Sequence, residues 1–143
     1  MHKLVQTIRF ESARKLTKLD SKHLCSNLYG LAFKLEIHVE GNINPETGFV
    51  VDFDDLQKYA FGHIKKQVDH NYLNNVKGLE NPTSENLIEW IWNELHDSFS
   101  LAWNGSQKEG FAAKLVKLVL WENEFSRVEY EGKNINHNKF KEY

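Results

Sequence analysis

Residues 31–40 alternate without a break, with Leu31, Phe33, Leu35, Ile37 and Val39 set against Ala32, Lys34, Glu36, His38 and Glu40. A period of two puts the first set on one face of a strand and the second on the other, so the strand is half-buried. A strand of this kind belongs to a sheet with one face packed and one solvated, which is the habit of antiparallel sheets. Leu4, Gln6, Ile8 and Phe10 alternate less regularly with Val5, Thr7, Arg9 and Glu11 and predict a strand before it. Turn chemistry follows at Asn42-Ile43-Asn44-Pro45-Glu46-Thr47-Gly48. Asp52 can cap a helix whose stripe is Phe53, Leu56, Ala60, Ile64 and Val68. Asn81-Pro82-Thr83 opens a second helix, with proline in its first turn, Asn81 or Thr83 as cap, and a stripe of Ile88, Ile91, Trp92, Leu95 and Phe99. Residues 101–112 read as a loop, 113–122 as a strand, and Arg127–Glu131 as its short partner behind a turn at Asn123–Ser126. The order is β-β-α-α-β-β. It predicts an α+β domain: a four-stranded antiparallel sheet with both helices on one face.

The chain has 143 residues, enough for one domain with its own core. That domain spans 1–132, and residues 133–143 form a polar tail expected to fray. The formal net charge is −2 and there is no long basic run, which disfavours nucleic acid or an anionic membrane as partner. No apolar run approaches the roughly 20 residues of a membrane span. The segment Met1–Thr7 is too polar for a signal peptide. The one cysteine, Cys25, cannot form an internal disulfide. A reducing, cytoplasmic setting is expected.

Five segments carry chemistry-bearing residues. They are Phe10-Glu11-Ser12-Ala13-Arg14-Lys15-Leu16, Cys25-Ser26-Asn27-Leu28-Tyr29-Gly30-Leu31-Ala32-Phe33, Val68-Asp69-His70-Asn71-Tyr72-Leu73-Asn74, Asn81-Pro82-Thr83-Ser84-Glu85-Asn86 and Leu120-Trp121-Glu122-Asn123. With Gly48-Phe49-Val50-Val51-Asp52-Phe53 they resemble, in order and spacing, the motifs of the 6-pyruvoyl-tetrahydropterin synthase / 6-carboxy-tetrahydropterin synthase family. The family pattern departs at three places. Its Phe-x-x-Ala-His becomes Arg14, and its His-Gly-His becomes Tyr29-Gly30-Leu31. Asn123 also stands where the family usually has threonine.

The resemblance implies the tunnelling fold, in which subunit sheets join edge to edge into a barrel as a hexamer or tetramer. Its site is built across subunits. It implies Cys25 and the pair Asp69–His70 as the groups that move protons, and Glu122 as the carboxylate that holds a pterin ring. Those residue types suit the work. Histidine titrates near neutrality and a carboxylate can fix its tautomer. Two carboxylate oxygens match the two adjacent N–H donors of a 2-amino-4-oxo ring. Thr83 and Ser84 could help hold the ring, although helix capping accounts for either. The family's zinc would be held by histidines at positions 14, 29 and 31. Arginine and leucine cannot ligate, and neutral tyrosine is a poor ligand, so no zinc is expected there. The guanidinium of Arg14 would then stand near the place of zinc's charge, with Tyr29 offering one hydrogen bond and Cys25 made reactive by the cation. His38 falls on the strand face opposite to positions 29 and 31. His23 pairs with Cys25 only as His-x-Cys. His63 lies mid-helix and is expected to be solvated. His2, His96 and His137 have no ligand-like spacing.

Three functions fit these residues. The first is a zinc-free enzyme doing lyase-type side-chain chemistry on a reduced pterin or a related GTP-derived compound. The second is a catalytically inactive pterin- or purine-binding protein, or a partner subunit of an active paralogue. The third is an oligomeric scaffold, disfavoured because cysteine, Asp-His and glutamate are all present.

Overall fold

The computed structural model describes residues 1–103 and 113–133, and their side chains apart from those of 100–103. The predicted strands form a continuous sheet. Strand β1 (His2–Arg14) pairs antiparallel with β2 (Tyr29–Gly41) in unbroken register, from His2 opposite Gly41 to Arg14 opposite Tyr29. Strand β4 (Lys114–Trp121) lies on the other side of β2, its register shifting between His38 and Val39, and β5 (Arg127–Tyr130) closes that edge. The two-residue strand β3 (Asn71–Tyr72) runs parallel to β1 at Ser12 and Ala13, giving the order β3-β1-β2-β4-β5. Four strands were expected. The fifth is too short to leave a period in the sequence.

The alternation of β2 decides the packing. Phe33, Leu35, Ile37 and Val39 are buried, while Lys34, Glu36 and His38 remain half-open on the other face. Ile8 and Phe10 continue the buried face across β1, and the Phe10 and Phe33 rings stack at 5.1 Å across the pair. Period two carries this face onward to Ser12 and Arg14, both buried.

Helix α1 (Phe53–Ala60) starts as expected, Asp52 Oδ1 accepting the Asp54 amide at 2.8 Å. It continues through a π turn (Phe61–Lys65) into α2 (Lys66–Val68). Leu56, Ala60, Ile64 and Val68 are buried on the sheet, but Phe53, at the helix start, is 49% exposed. His63 is half-buried instead of fully solvated. Its Nδ1–H donates to the Tyr59 carbonyl at 2.9 Å and its ring lies tilted against Tyr59 at 4.2 Å, which ties down the π turn.

Helix α3 (Ser84–Trp103) is capped by Thr83, whose hydroxyl accepts the Asn86 amide at 3.1 Å. Pro82 therefore precedes the cap instead of entering the first turn. Leu87, Ile88, Ile91, Trp92, Leu95 and Phe99 join the same core. The helix runs three residues into the stretch expected to be a loop. The remainder of that loop and nearly all of the C-terminal tail lie outside the described residues. Among the described residues, no helix is long and apolar enough to cross a membrane.

Candidate functional site

Arg14 is the last residue of β1 and is only 3% exposed. A buried guanidinium needs partners for its donors, and four bonds supply them. Nε donates to the Tyr29 hydroxyl at 2.9 Å. Nη1 donates to the Pro82 carbonyl and to Ser84 Oγ, both at 3.1 Å. Nη2 donates to Glu122 Oε1 at 2.8 Å. The cation also lies 5.3 Å from the Tyr29 ring centroid and 5.5 Å from that of Phe33. Each partner arrives by a separate route. Register places Tyr29 opposite Arg14, the α3 start delivers Pro82 and Ser84, and Glu122 follows directly on β4.

Ser84 links the cation to the anion. Its hydroxyl accepts from Arg14 and donates to Glu122 Oε1. Glu122 keeps 30% of its side chain exposed, and Oε2 has no hydrogen-bond partner among the described residues. Partial burial pushes the Glu122 carboxyl up. The bonds from Arg14 and Ser84 and the charge of Arg14 outweigh that and hold it below the usual carboxylate value. The group is therefore an anion throughout the neutral range. Burial and contact with the Cys25 thiol push the Tyr29 phenol up, against the pull of Arg14, so Tyr29 stays neutral. Cys25, half-buried, sits in a short 3₁₀ turn (Leu24–Ser26) whose start is closed by the Cys25 amide donating to His23 Nδ1 at 3.1 Å. Tyr29, Arg14, Ser84 and Glu122 thus form one hydrogen-bonded string of polar groups, with Cys25 beside Tyr29. Beside it, a cavity of about 640 Å³ is lined by Tyr29, Leu31, Phe33, Lys34, Trp121 and Glu122.

Asp69 and His70 lie elsewhere. The chain leaves α2 with His70 at φ 56°, a left-handed conformation that non-glycine residues rarely adopt. The His70 amide donates to the Glu11 carbonyl at 2.6 Å, and Asp69 Oδ1 accepts the Glu11 amide at 2.9 Å. His70 Nδ1 is 3.1 Å from the same Asp69 oxygen, and the histidine side chain is 77% exposed. The amide of Glu11, opposed by slight burial and helped by His70, holds the Asp69 carboxyl below its ordinary value. His70 lines a second cavity, of about 570 Å³, with Glu11, Ser12, Ala13, Gly30, Leu31 and Ala32. Glu11, Gly30, Leu31 and Ala32 also line the cavity beside Glu122. Within one chain, the Asp-His pair sits at the β1 edge on the Glu11 backbone, with no hydrogen bond to the Arg14–Glu122 string among the described residues.

Of the other expected site residues, Ser84 joins the string, while Thr83 is engaged as the helix cap. Sequence reasoning missed Ser12, Phe33 and the Pro82 carbonyl. Ser12 is buried two residues before Arg14, and its hydroxyl donates to the Val68 carbonyl at 2.5 Å. Parity with Phe10 could have found Ser12. Nothing local marks a backbone carbonyl such as that of Pro82.

The family model described as 6-pyruvoyl tetrahydropterin synthase matches residues 3–133. The chain belongs to the 6-pyruvoyl tetrahydropterin synthase family. A 6-carboxy-5,6,7,8-tetrahydropterin synthase of Synechocystis sp. is 36% identical over 93 residues, 62% of this chain and 70% of its own length. A dihydroneopterin monophosphate aldolase of Pyrococcus furiosus is 39% identical over 99 residues, 68% of this chain and 74% of its own. The human 6-pyruvoyl tetrahydrobiopterin synthase is 29% identical over 131 residues, 87% of this chain and 80% of its own. In fold, the Caenorhabditis elegans 6-pyruvoyl tetrahydropterin synthase superposes with a TM-score of 0.73 over 92% of this chain and 96% of its own, at 21% identity.

The family resemblance implies zinc at positions 14, 29 and 31. The backbone would allow it: Arg14 faces Tyr29 and Ser12 faces Leu31 in adjacent pairs, so all three side chains share one face. The side chains do not fit. The guanidinium of Arg14 has no lone pair to give and is tied up by its four bonds, and Leu31 has no donor atom. Among the described residues, no three His, Cys, Asp or Glu side chains stand close enough together to hold a metal ion.

Proposed function

We propose that the chain binds a reduced pterin or a related 2-amino-4-oxo compound in the cavity beside Glu122. We further propose that it acts on the ligand's side chain by lyase-type proton transfers without zinc at positions 14, 29 and 31. Glu122 carries this reading, being an ionised carboxylate held from behind, with one oxygen at a cavity wall that has no hydrogen-bond partner among the described residues. It would hold the ring through an N–H of the heterocycle. Cys25, beside Tyr29, and Asp69–His70 would move the protons. The known relatives support the substrate class, since two are named for tetrahydropterin synthesis or its biopterin counterpart and one for a dihydroneopterin monophosphate.

Asp69–His70 of one copy would serve the Glu122 site of another. Strand β3 covers β1 only at Ser12 and Ala13, so the rest of that edge has no strand partner among the described residues. A long open edge favours pairing with another chain. Edge pairing of copies into a closed barrel, as the family resemblance implies, would bury that edge and would carry the Asp69–His70 pair on it to a subunit boundary.

Titration of the purified protein with neopterin and biopterin, followed by incubation with the corresponding dihydro compounds and product analysis, tests the proposal. Binding with side-chain conversion is expected. Absence of binding would refute it.

A second reading, an inactive pterin- or purine-binding protein or partner subunit, is favoured by one observation. Four of the five N–H donors of Arg14 already serve the protein. Freeing the guanidinium to polarise a ligand oxygen would break a buried pair at about 3–5 kcal/mol. A new charge-assisted bond returns about 1.5–3 kcal/mol. Arg14 therefore has only its fifth N–H, on Nη2, to offer a ligand oxygen without breaking that pair. Binding without conversion in the same titration would select this reading.

A further inference from the structure

Glu122 is held in an unusual way for a group that reads a heterocycle. A 2-amino-4-oxo ring presents its ring N–H and its amino N–H side by side, and a carboxylate meets both when each oxygen has a lone pair free on the ligand's side. Here Oε1 accepts from Arg14 Nη2 at 2.8 Å and from Ser84 Oγ. Both of its lone pairs are used. Arg14 cannot swing away, because Nε and Nη1 are bonded to Tyr29, Pro82 and Ser84 and the side chain is buried against the Tyr29 and Phe33 rings. Ser84, at 2% exposed, is equally fixed. The guanidinium carries the same N–C–N arrangement of donors that the 2-amino edge of the ring would offer. Only its Nη2 meets Glu122, at Oε1, and so takes one of the two acceptor positions from inside the protein.

We infer that Arg14 is a positioning residue that commits one oxygen of Glu122 to the protein, so that the site reads a single N–H of its ligand through Oε2 and does not select for a 2-amino group. This rests on Glu122 being the ring holder. A two-oxygen acceptor rejects a 2-oxo ring, because the carbonyl oxygen faces a carboxylate oxygen where a donor should be. A one-oxygen acceptor loses no hydrogen bond on the same exchange, since both rings keep an N–H next to the 4-oxo group, and the Arg14 cation at Oε1 offsets the repulsion of a 2-oxo group. The site therefore admits 2,4-dioxo heterocycles alongside 2-amino-4-oxo ones.

The test is the ratio of dissociation constants for lumazine and pterin, which differ only by oxygen for amino at position 2. It is measured by calorimetry on the parent and on Arg14→Leu, at a pH where both rings keep their N–H. The parent should bind the two within about threefold. Arg14→Leu, which frees Oε1 of the guanidinium, should prefer pterin by about tenfold or more. The parent ratio needs no variant, so the inference stays open to refutation even if Arg14→Leu does not fold. A parent that prefers pterin by tenfold would overturn the single-oxygen reading while leaving the proposed function standing. An unchanged ratio in folded Arg14→Leu would show that Arg14 is not the cause. A parent that binds neither ring would overturn the assignment of Glu122 as ring holder and this inference with it.

Discussion

Arg14 and Glu122, 108 residues apart in sequence, meet at 2.8 Å with the arginine buried and the glutamate at a cavity wall. This contact ties the end of β1 to the end of β4, two strands that do not pair with each other. Through Ser84 it also ties both to the start of α3.

Removing one partner should destabilise the protein more than removing an exposed ion pair. Glu122→Gln takes the anion from a buried cation and should lower stability by about 3 kcal/mol, the low end for a buried pair because Glu122 is partly open to solvent. Lys117→Ala, which breaks the exposed pair with Glu129 at 3.3 Å, should change it by less than about 1 kcal/mol. Urea unfolding of both variants checks the contrast.

The Arg14–Glu122 contribution should vanish in acid. The folded carboxyl lies below its ordinary value, so the pair stabilises fully above the unfolded value of about 4.3 and is lost as pH falls through the lower folded value. Asp69 is depressed too, so the parent's own acid sensitivity mixes two groups. The gap between parent and Glu122→Gln isolates one. That gap should be constant from neutral pH to about pH 5 and shrink below about pH 4. A gap that widens in acid would contradict the direction of the shift.

Much of this arrangement was legible in the sequence, and the part that was not has a physical reason. Alternation in β2 fixed which residues face the core, because a strand has only two faces. The same parity, running from Phe10, turns Arg14 inward. What binds Arg14 could not be read, since a partner distant in sequence leaves no local period. Phe53 lies on the apolar stripe yet stays exposed, because helical spacing says nothing of where the packed layer ends. His63 was expected in water. Its bond to the Tyr59 carbonyl arises from a π turn, and no spacing rule announces such a turn. Whether Asp69 meets His70 could not be read, because their 3.1 Å contact and their place at the β1 edge depend on one left-handed residue that leaves no local period.

The backbone is laid out for a metal that the side chains refuse. Arg14→His, Tyr29→His and Leu31→His together put three imidazoles on one face in adjacent cross-strand pairs. The parent should carry no stoichiometric zinc, and the triple variant should bind about one ion per chain. Elemental analysis after dialysis reads both. Zinc in the parent that disappears in His23→Ala or Cys25→Ala would mean a relocated site.

Tyr29 should control Cys25. Its hydroxyl accepts from Arg14 and lies beside the thiol. An O–H donor stabilises thiolate over thiol, and thiolate is the form that alkylates. Tyr29→Phe should therefore slow iodoacetamide alkylation of the folded protein about twofold to fourfold at neutral pH. Equal rates would mean that Tyr29 does not control Cys25.

Asp69–His70 sits at the β1 edge and Glu122 at the end of β4, so the proposed site would draw its two halves from two copies. Light scattering should report a closed oligomer at micromolar concentration. Complementation is the sharper measurement. Glu122→Gln and His70→Ala should each lack activity when pure, because each copy is missing one half of every site. Refolded together in equal amounts, they should recover about a quarter of the parental activity, since that share of boundaries joins an intact Glu122 to an intact Asp69–His70. The variants also differ in what they should retain. His70→Ala should bind pterin as the parent does, its histidine being exposed and remote from the ring holder, whereas Glu122→Gln should not. A mixture as inactive as its components, from variants that still assemble, would place both halves within one chain and leave the exposed His70 without a role in the site.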